Sequence, residues 1–82
     1  MHELSLALDL VERALIIAQR EKVQQVRGIN VLIGPDSGVD PEAFAFAFPE
    51  AAHDTLLAKT ELRIQRGTGR EFQFQSMVVE DV

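Results

Sequence analysis

The first residues of the chain, Met1-His2-Glu3, place a histidine next to the amino terminus. The free α-amine, the His2 amide nitrogen and the His2 imidazole can close adjacent chelate rings around one small cation. Imidazole suits zinc, copper and nickel, and a planar set of nitrogens selects copper(II) or nickel(II). The alternative is that the terminus frays and that His2 is an ordinary surface residue. These residues alone leave both interpretations open.

Length and composition limit the classes of protein that the chain can belong to. At 82 residues we expect a single domain, 1–82. The net charge of −5, with scattered basic residues, argues against a nucleic-acid partner. No apolar run approaches the roughly 18 residues of a membrane span, so we expect no membrane partner and a cytoplasmic location. The absence of cysteine excludes cysteine-based zinc sites, iron–sulfur clusters and thiol catalysis.

The segment that follows the terminal histidine is predicted as a helix. From Leu4 to about Arg20, apolar residues recur at helical spacing and neither Gly nor Pro interrupts them. Glu3 is well placed to complement the positive end of this helix. The candidate chelating residues therefore stand at the start of a helix with a broad apolar face.

A second helix is predicted after the turn cluster at 34–38. Asp40 occupies the N-cap position and Pro41 the first helical position, where its missing N–H does no harm. Phe46 is expected to lie off the buried face. Pro49 is expected either to end the helix near Phe48 or to kink it before one further short turn.

Three segments have the pattern of strands. Residues 23–33 are rich in β-branched residues, and residues 60–66 alternate apolar with charged side chains. Gly67-Thr68-Gly69 is predicted to be a tight hairpin turn, and 71–79 the return strand. The apolar phase changes near Ser76, which predicts a bulge there.

These elements define an α+β fold in the order α-β-α-β-β. We expect a small mixed three-stranded sheet with both helices on one face, because both helices carry apolar residues that need cover. The last strand is expected between the other two, antiparallel to both.

Two separated stretches together resemble the HypA/HybF family of nickel metallochaperones, which act in the maturation of nickel–iron hydrogenase. One stretch is Met1-His2-Glu3-Leu4-Ser5-Leu6-Ala7. The other is Gly34-x-x-Ser37-Gly38-Val39-Asp40-Pro41-Glu42-Ala43-x-x-Phe46-Ala47-Phe48. Weaker agreement continues through residues 74–80, so the resemblance covers nearly the whole chain.

The resemblance implies a site for Ni(II). It places nickel on the Met1 amine, the His2 amide and imidazole, and the Glu3 region, and it links Asp40 to the same site. The alternative for Asp40 is that it only caps the second helix. The resemblance also implies a hydrogenase precursor or a maturation GTPase as the partner.

The chain departs from the family pattern between its second and third strands. Family members carry a zinc-binding lobe with two CxxC pairs there, whereas this chain has only Arg66-Gly67-Thr68-Gly69-Arg70-Glu71. We therefore expect a short form without a zinc site.

The function predicted from the sequence is that of a nickel-binding accessory protein. The alternative is a metal-free protein-interaction module or oligomerising scaffold, including a homodimer formed through a sheet edge. An enzyme is not expected, because no activated Ser or Cys nucleophile accompanies His53 and Asp54. A zinc site built from His2, His53 and Asp54 has no supporting ligand spacing.

Overall fold

Two helices and one mixed sheet make up the protein, for which a computed structural model describes residues 2–80. The elements in chain order are α1 (His2–Arg20), β1 (Gln25–Ile33), α2 (Pro41–Ala52), β2 (Glu61–Arg66) and β3 (Phe72–Glu80). The predicted α+β class, the element order and the mixed three-stranded sheet are confirmed. Neither helix in this part of the chain is long and apolar enough to cross a membrane.

Helix α1 starts earlier than predicted, and helix α2 takes the longer of its two predicted forms. Helix α1 begins at His2, two residues before the expected start at Leu4. Helix α2 continues through Pro49 to Ala52, so of the two alternatives for Pro49 the end near Phe48 is wrong and the further turn is present. Pro49 is exposed, while Ala51 and Ala52 in the same last turn are buried. Burial of these small side chains holds the last turn in place despite the hydrogen bond that proline removes.

The strand order is β2-β1-β3, so the prediction that the last strand lies in the middle is wrong. Strand β1 is central, parallel to β2 and antiparallel to β3. Its inward residues Ile29, Val31 and Ile33 are all at most 1 % exposed, whereas the apolar residues of β2 are only half-buried. The most apolar strand takes the position with a neighbour on each side, and helix α2 connects two adjacent parallel strands.

The predicted hairpin at 67–69 is also wrong, because β2 and β3 are not neighbours. The connecting segment instead crosses the carboxyl end of β1. Three backbone hydrogen bonds hold it there, donated by Gly67 to Ile33 (2.9 Å), by Gly34 to Glu71 (2.7 Å) and by Asp36 to Gly69 (2.8 Å). A short link can therefore join two strands on opposite sides of a third.

Two irregularities interrupt the pairing of β1 with β3. Val26 pairs with Val79 and Gly28 with Val78, which leaves Arg27 as an extra residue. Further along, Ser76 and Phe74 pair with consecutive residues of β1, so Gln75 is bulged out. The bulge predicted near Ser76 is confirmed, and it accounts for the change of apolar phase along β3.

The core lies between the sheet and the two helices. Buried residues from α1, α2 and β1 form one cluster, and half-buried residues of β2 and β3 pack against it. Phe44 of α2 is fully buried and meets Phe72 of β3 edge to face, with ring centroids 5.4 Å apart. Both helices thus cover one face of the sheet, as predicted. On the other face, Asn30 donates a hydrogen bond to the Ser76 hydroxyl (2.9 Å).

Candidate metal site at the starts of the two helices

The two stretches singled out by the sequence meet at one end of the molecule. The backbone N–H of Asp40 donates to Oε2 of Glu3 at 3.1 Å, across 37 positions of the chain. This bond attaches the start of α2 to the first turn of α1. The loop that follows β1 therefore folds back onto the first helix and brings the two carboxylate residues together.

Asp40 is the N-cap of α2. Its backbone is extended, with φ −81° and ψ 113°, and its Oδ1 accepts the Glu42 N–H at 3.0 Å. Its carbonyl accepts the Phe44 N–H at 2.9 Å, which closes the first helical turn. The capping role expected from the sequence is confirmed. The remaining carboxylate oxygen, Oδ2, has no hydrogen-bond partner within residues 2–80.

His2 is the first residue of α1 and its side chain is exposed. The first four N–H groups of a helix have no carbonyl four residues earlier to bond with. The His2 amide nitrogen can therefore bind a cation without loss of a helical hydrogen bond. Met1, whose amine the sequence also assigned to the site, lies outside the described residues. Within residues 2–80, no three His, Asp or Glu side chains are grouped closely enough to hold a metal ion.

Charge at this end of the molecule follows from the direction of the helices. The exposed N–H groups at a helix start carry a partial positive charge, which nearby carboxylates stabilise. Glu3 lies in the first turn of α1 and Glu42 in the first turn of α2, with Asp40 capping the latter. The carboxylates that could face a cation also complement the two helix starts.

The groups whose pKa is clearly shifted lie away from the helix starts. Hydrogen bonds from its own backbone N–H, and then from the Gly69 N–H, lower the pKa of the Glu71 carboxyl. The Arg27 guanidinium hydrogen-bonds Glu80 and lowers the pKa of that carboxyl, while the same pair raises the pKa of Arg27. The groups with shifted pKa values thus lie in the segment that connects β2 to β3 and where β1 pairs with β3.

The second histidine ends α2. His53 and its neighbour Asp54 are both exposed, with Nε2 3.4 Å from Oδ2. Among residues 2–80 this pair is joined by no third ligand that could complete a metal site. The structure thus brings Glu3 and Asp40 together, with His2 beside Glu3 in sequence, and gives no support to the alternative zinc set.

Sequence comparison supplies the family. The family model described as "Hydrogenase/urease nickel incorporation, metallochaperone, hypA" matches residues 1–75. The hydrogenase maturation factor HypA of Pelodictyon phaeoclathratiforme is 38 % identical over 69 residues, covering 84 % of this chain and 59 % of the relative. The corresponding protein of Synechococcus sp. is 45 % identical over 65 residues, covering 79 % and 58 %.

Structural comparison agrees with the sequence match. The solution structure of the Ni metallochaperone HypA from Helicobacter pylori superposes with a TM-score of 0.73 at 23 % identity, covering 79 % of this chain and 56 % of that one. The chain spans less than three fifths of the length of these relatives, and only residues 67–71 join β2 to β3. The chain belongs to the HypA family of nickel-incorporation metallochaperones.

Proposed function

We propose that this chain is a nickel-binding accessory protein for the maturation of nickel–iron hydrogenase. Ni(II) is its cargo, held at the start of α1 by the Met1 amine and by the His2 amide and imidazole. Glu3 and Asp40 supply the nearby carboxylates. The observation that carries the proposal is the hydrogen bond from the Asp40 N–H to Glu3, which supports a common site for the two stretches typical of the family.

The nitrogen donors suit the cargo. Nickel(II) favours a planar set of nitrogens, and consecutive residues can supply one with little ordering of the chain. The His2 amide must lose its proton to bind, and the positive end of α1 favours the resulting negative charge. Affinity should fall by about tenfold per pH unit in acid for each proton released.

Capping and metal binding do not compete for the same atoms. Asp40 uses Oδ1 for the Glu42 N–H, and Glu3 uses Oε2 for the Asp40 N–H. Each carboxylate retains a second oxygen that can face a cation or accept a hydrogen bond from the His2 ring. These hydrogen bonds therefore allow both residues to cap a helix and to face a cation at the same time.

Calorimetric nickel titration of the untagged chain tests this proposal. His2→Ala, or acetylation of the Met1 α-amine, should abolish tight stoichiometric binding, because each removes a donor of the fused chelate. Leu8→Ala, an exposed position on the same helix, is the matched control and should bind normally. Unchanged affinity in either test variant would show that nickel binds elsewhere.

A pair of substitutions separates the two roles of Asp40. Asp40→Asn retains a good cap but removes the charge, so it should weaken nickel binding about 10–100-fold with little loss of stability. Asp40→Ala should weaken binding and also cost about 1 kcal/mol of stability through loss of the cap. If Asp40→Asn binds nickel as the wild type does, Asp40 is only a cap.

The identity of the partner protein and the cellular location of the chain remain predictions. We propose that the chain passes nickel to a hydrogenase precursor or to a maturation GTPase in the cytoplasm, without catalysing a reaction and without a zinc site. The family match to a nickel-incorporation metallochaperone supports this role. Transfer of nickel from the loaded chain to a purified candidate partner is the direct measurement.

A second candidate function is a metal-free interaction module. Phe46 of α2 is 88 % exposed, which is unusual for a phenylalanine and favours a binding surface away from the helix starts. Absence of nickel binding by the untagged chain would leave this as the better description.

A further inference from the structure

The outer face of α2 carries a phenylalanine between two carboxylates. Phe46 is 88 % exposed, and Glu42 and Glu50 lie four residues before and after it, on the same face of the helix. We call Glu42, Phe46 and Glu50 the acidic stripe. Glu50 stands in the last turn, where the helix end is partly negative and α2 has no basic residue. Its charge therefore does not serve the stability of the helix.

A backbone acceptor adds to this face. Pro49 has no N–H, so the carbonyl of Ala45 loses the donor that a regular helix would supply. Ala45 and Pro49 are both exposed. The polar groups that α2 (Pro41–Ala52) presents on this face are thus two carboxylates and a carbonyl, all of which are acceptors. Such a surface is complementary to an apolar groove with Lys or Arg side chains at its rim.

The same chain contains a groove of this kind between α1 and β3. Its apolar lining includes Ile16 and Ile17, which are 50 % and 36 % exposed, together with the half-buried rings of Phe72 and Phe74. Two arginines stand at the rim. We call Arg13, Ile16, Ile17 and Arg20 the basic stripe, since their spacing places all four on one face of α1.

Both arginines are available to a partner. Arg20 makes no ion pair within residues 2–80. Arg13 lies 3.7 Å from Asp9, but both side chains are more than half exposed. Exposed pairs of this type contribute little to stability, so this one is readily exchanged for another carboxylate.

The two stripes match in length. Glu50 lies eight positions after Glu42, and Arg20 lies seven positions after Arg13, which at the helical rise correspond to about 12 Å and about 10.5 Å. Phe46 lies midway along the acidic stripe, and the two isoleucines lie midway along the basic one. We propose that the acidic stripe of one copy docks on the basic stripe of a second copy, with the Phe46 ring seated in the groove between α1 and β3.

This contact is heterologous, because each copy offers a different surface to its partner. Two such contacts close into a dimer if the stripes can meet reciprocally, and otherwise they build an open chain. A metal ion is not needed for either outcome. The interface adjoins the proposed nickel site at Glu42, whose backbone N–H binds Asp40, but its anchor Phe46 lies one turn further along α2.

Sedimentation velocity on the untagged chain, from about 1 µM to about 1 mM, tests the proposal across the range of weak self-association. Phe46→Ala should raise the dissociation constant at least about tenfold, since a seated aromatic ring is a typical anchor. Leu56→Ala, another exposed apolar residue, is the control and should associate as the wild type does. Association must also weaken with added salt.

Charge reversal gives the sharper test. Glu42→Lys with Glu50→Lys, and separately Arg13→Glu with Arg20→Glu, should each abolish self-association. An equimolar mixture of the two variants should associate again, because the unchanged acidic stripe of one variant can bind the unchanged basic stripe of the other. Asp36→Lys with Gln65→Lys adds positive charge elsewhere and serves as control.

Three results would overturn the proposal. One is a wild-type chain that stays monomeric over the whole concentration range. Another is self-association that survives Phe46→Ala and both reversals, which would locate the contact elsewhere, for example at the edge of β3. The last is a mixture of the reversed variants that stays monomeric although each variant retains the wild-type circular dichroism spectrum.

Discussion

Gly34→Ala tests how closely the link between β2 and β3 is fitted to the end of β1. A Cβ at Gly34 would lie 2.2 Å from the carbonyl oxygen of Gly69 and 2.7 Å from its carbonyl carbon. It would also lie 2.2 Å from Oε1 of Glu71. The Glu71 side chain can rotate away, but the Gly69 carbonyl belongs to the backbone. The link must therefore move by about 1 Å to admit a methyl group within ordinary contact distance.

The cost of this movement can be worked out from the same contacts. Forcing a methyl group into a filled space costs about 1–3 kcal/mol. The shift also strains the hydrogen bonds from Gly34 to Glu71 and from Asp36 to Gly69, each of a type worth about 0.5–1.5 kcal/mol. We expect a loss of about 2–4 kcal/mol, a large part of the roughly 4–12 kcal/mol typical of a domain of 82 residues.

Gly38→Ala is the matched control in the same loop. Gly38 has φ +82°, but nothing lies within 4 Å of a Cβ added there. Its cost is the backbone strain of a left-handed residue, about 1–2 kcal/mol. Urea unfolding followed by circular dichroism should show the larger loss for Gly34→Ala. A rule based on φ alone predicts the reverse order, and a larger loss for Gly38→Ala would refute the argument from close approach.

Two further substitutions test contacts described above. The pKa of Glu71 lies below its ordinary value of 4.5, so its hydrogen bonds stabilise the fold above that pH and are lost as pH falls through the lowered pKa. Glu71→Gln should therefore be less stable than wild type at pH 7 in urea unfolding, with the difference shrinking below pH 4.5; an unchanged difference in acid would contradict this. Pro49→Ala should restore the missing donor to Ala45 and raise stability by up to about 3 kcal/mol. Pro41→Ala, at the first helical position, should bring no such gain, and equal gains in thermal unfolding would count against the assignment.

The elements themselves were predictable from local patterns. Helical spacing in α1, the Asp40-Pro41 start of α2 and the phase change near Ser76 are short-range signals, and each is confirmed. The continuation of α2 beyond Pro49 was only one of the two alternatives that the sequence left open. It depends on the burial of Ala51 and Ala52 against the rest of the core, which no local pattern reports.

The strand order could not be obtained from the turn at 67–69. A Gly-Thr-Gly sequence between two alternating strands is typical of a hairpin, yet here the link crosses the end of β1. Two observations pointed to the observed order. Ile29, Val31 and Ile33 make β1 the most apolar strand, and a crossover helix usually joins adjacent parallel strands. The order therefore depends on which strand has the most apolar residues to bury at the central position.

At the candidate site, the sequence identified the residues but not their contact. Asp40 was recognisable as a cap because capping is local. The bond from its N–H to Glu3 spans 37 positions, so only the packing of α1 beside α2 reveals it. The sequence predicted that Phe46 lies off the buried face of α2, but not that its side chain is almost fully exposed. Its relation to the groove between α1 and β3 follows from the tertiary arrangement alone.

The path of the link across β1 determines where the length of this fold can vary. Gly34 and Asp36 bond directly to residues 69 and 71, and the loop they begin leads on to Asp40. Because β1 and β2 are parallel, their carboxyl ends lie at the same end of the sheet, and α2 starts there as well. Any segment inserted at 67–71 would emerge at the end of the sheet from which α2 starts, which is also the end where Glu3 and Asp40 meet. Growth of the chain at this point would thus add structure at the same end of the molecule as the candidate site, without interrupting a helix or a strand.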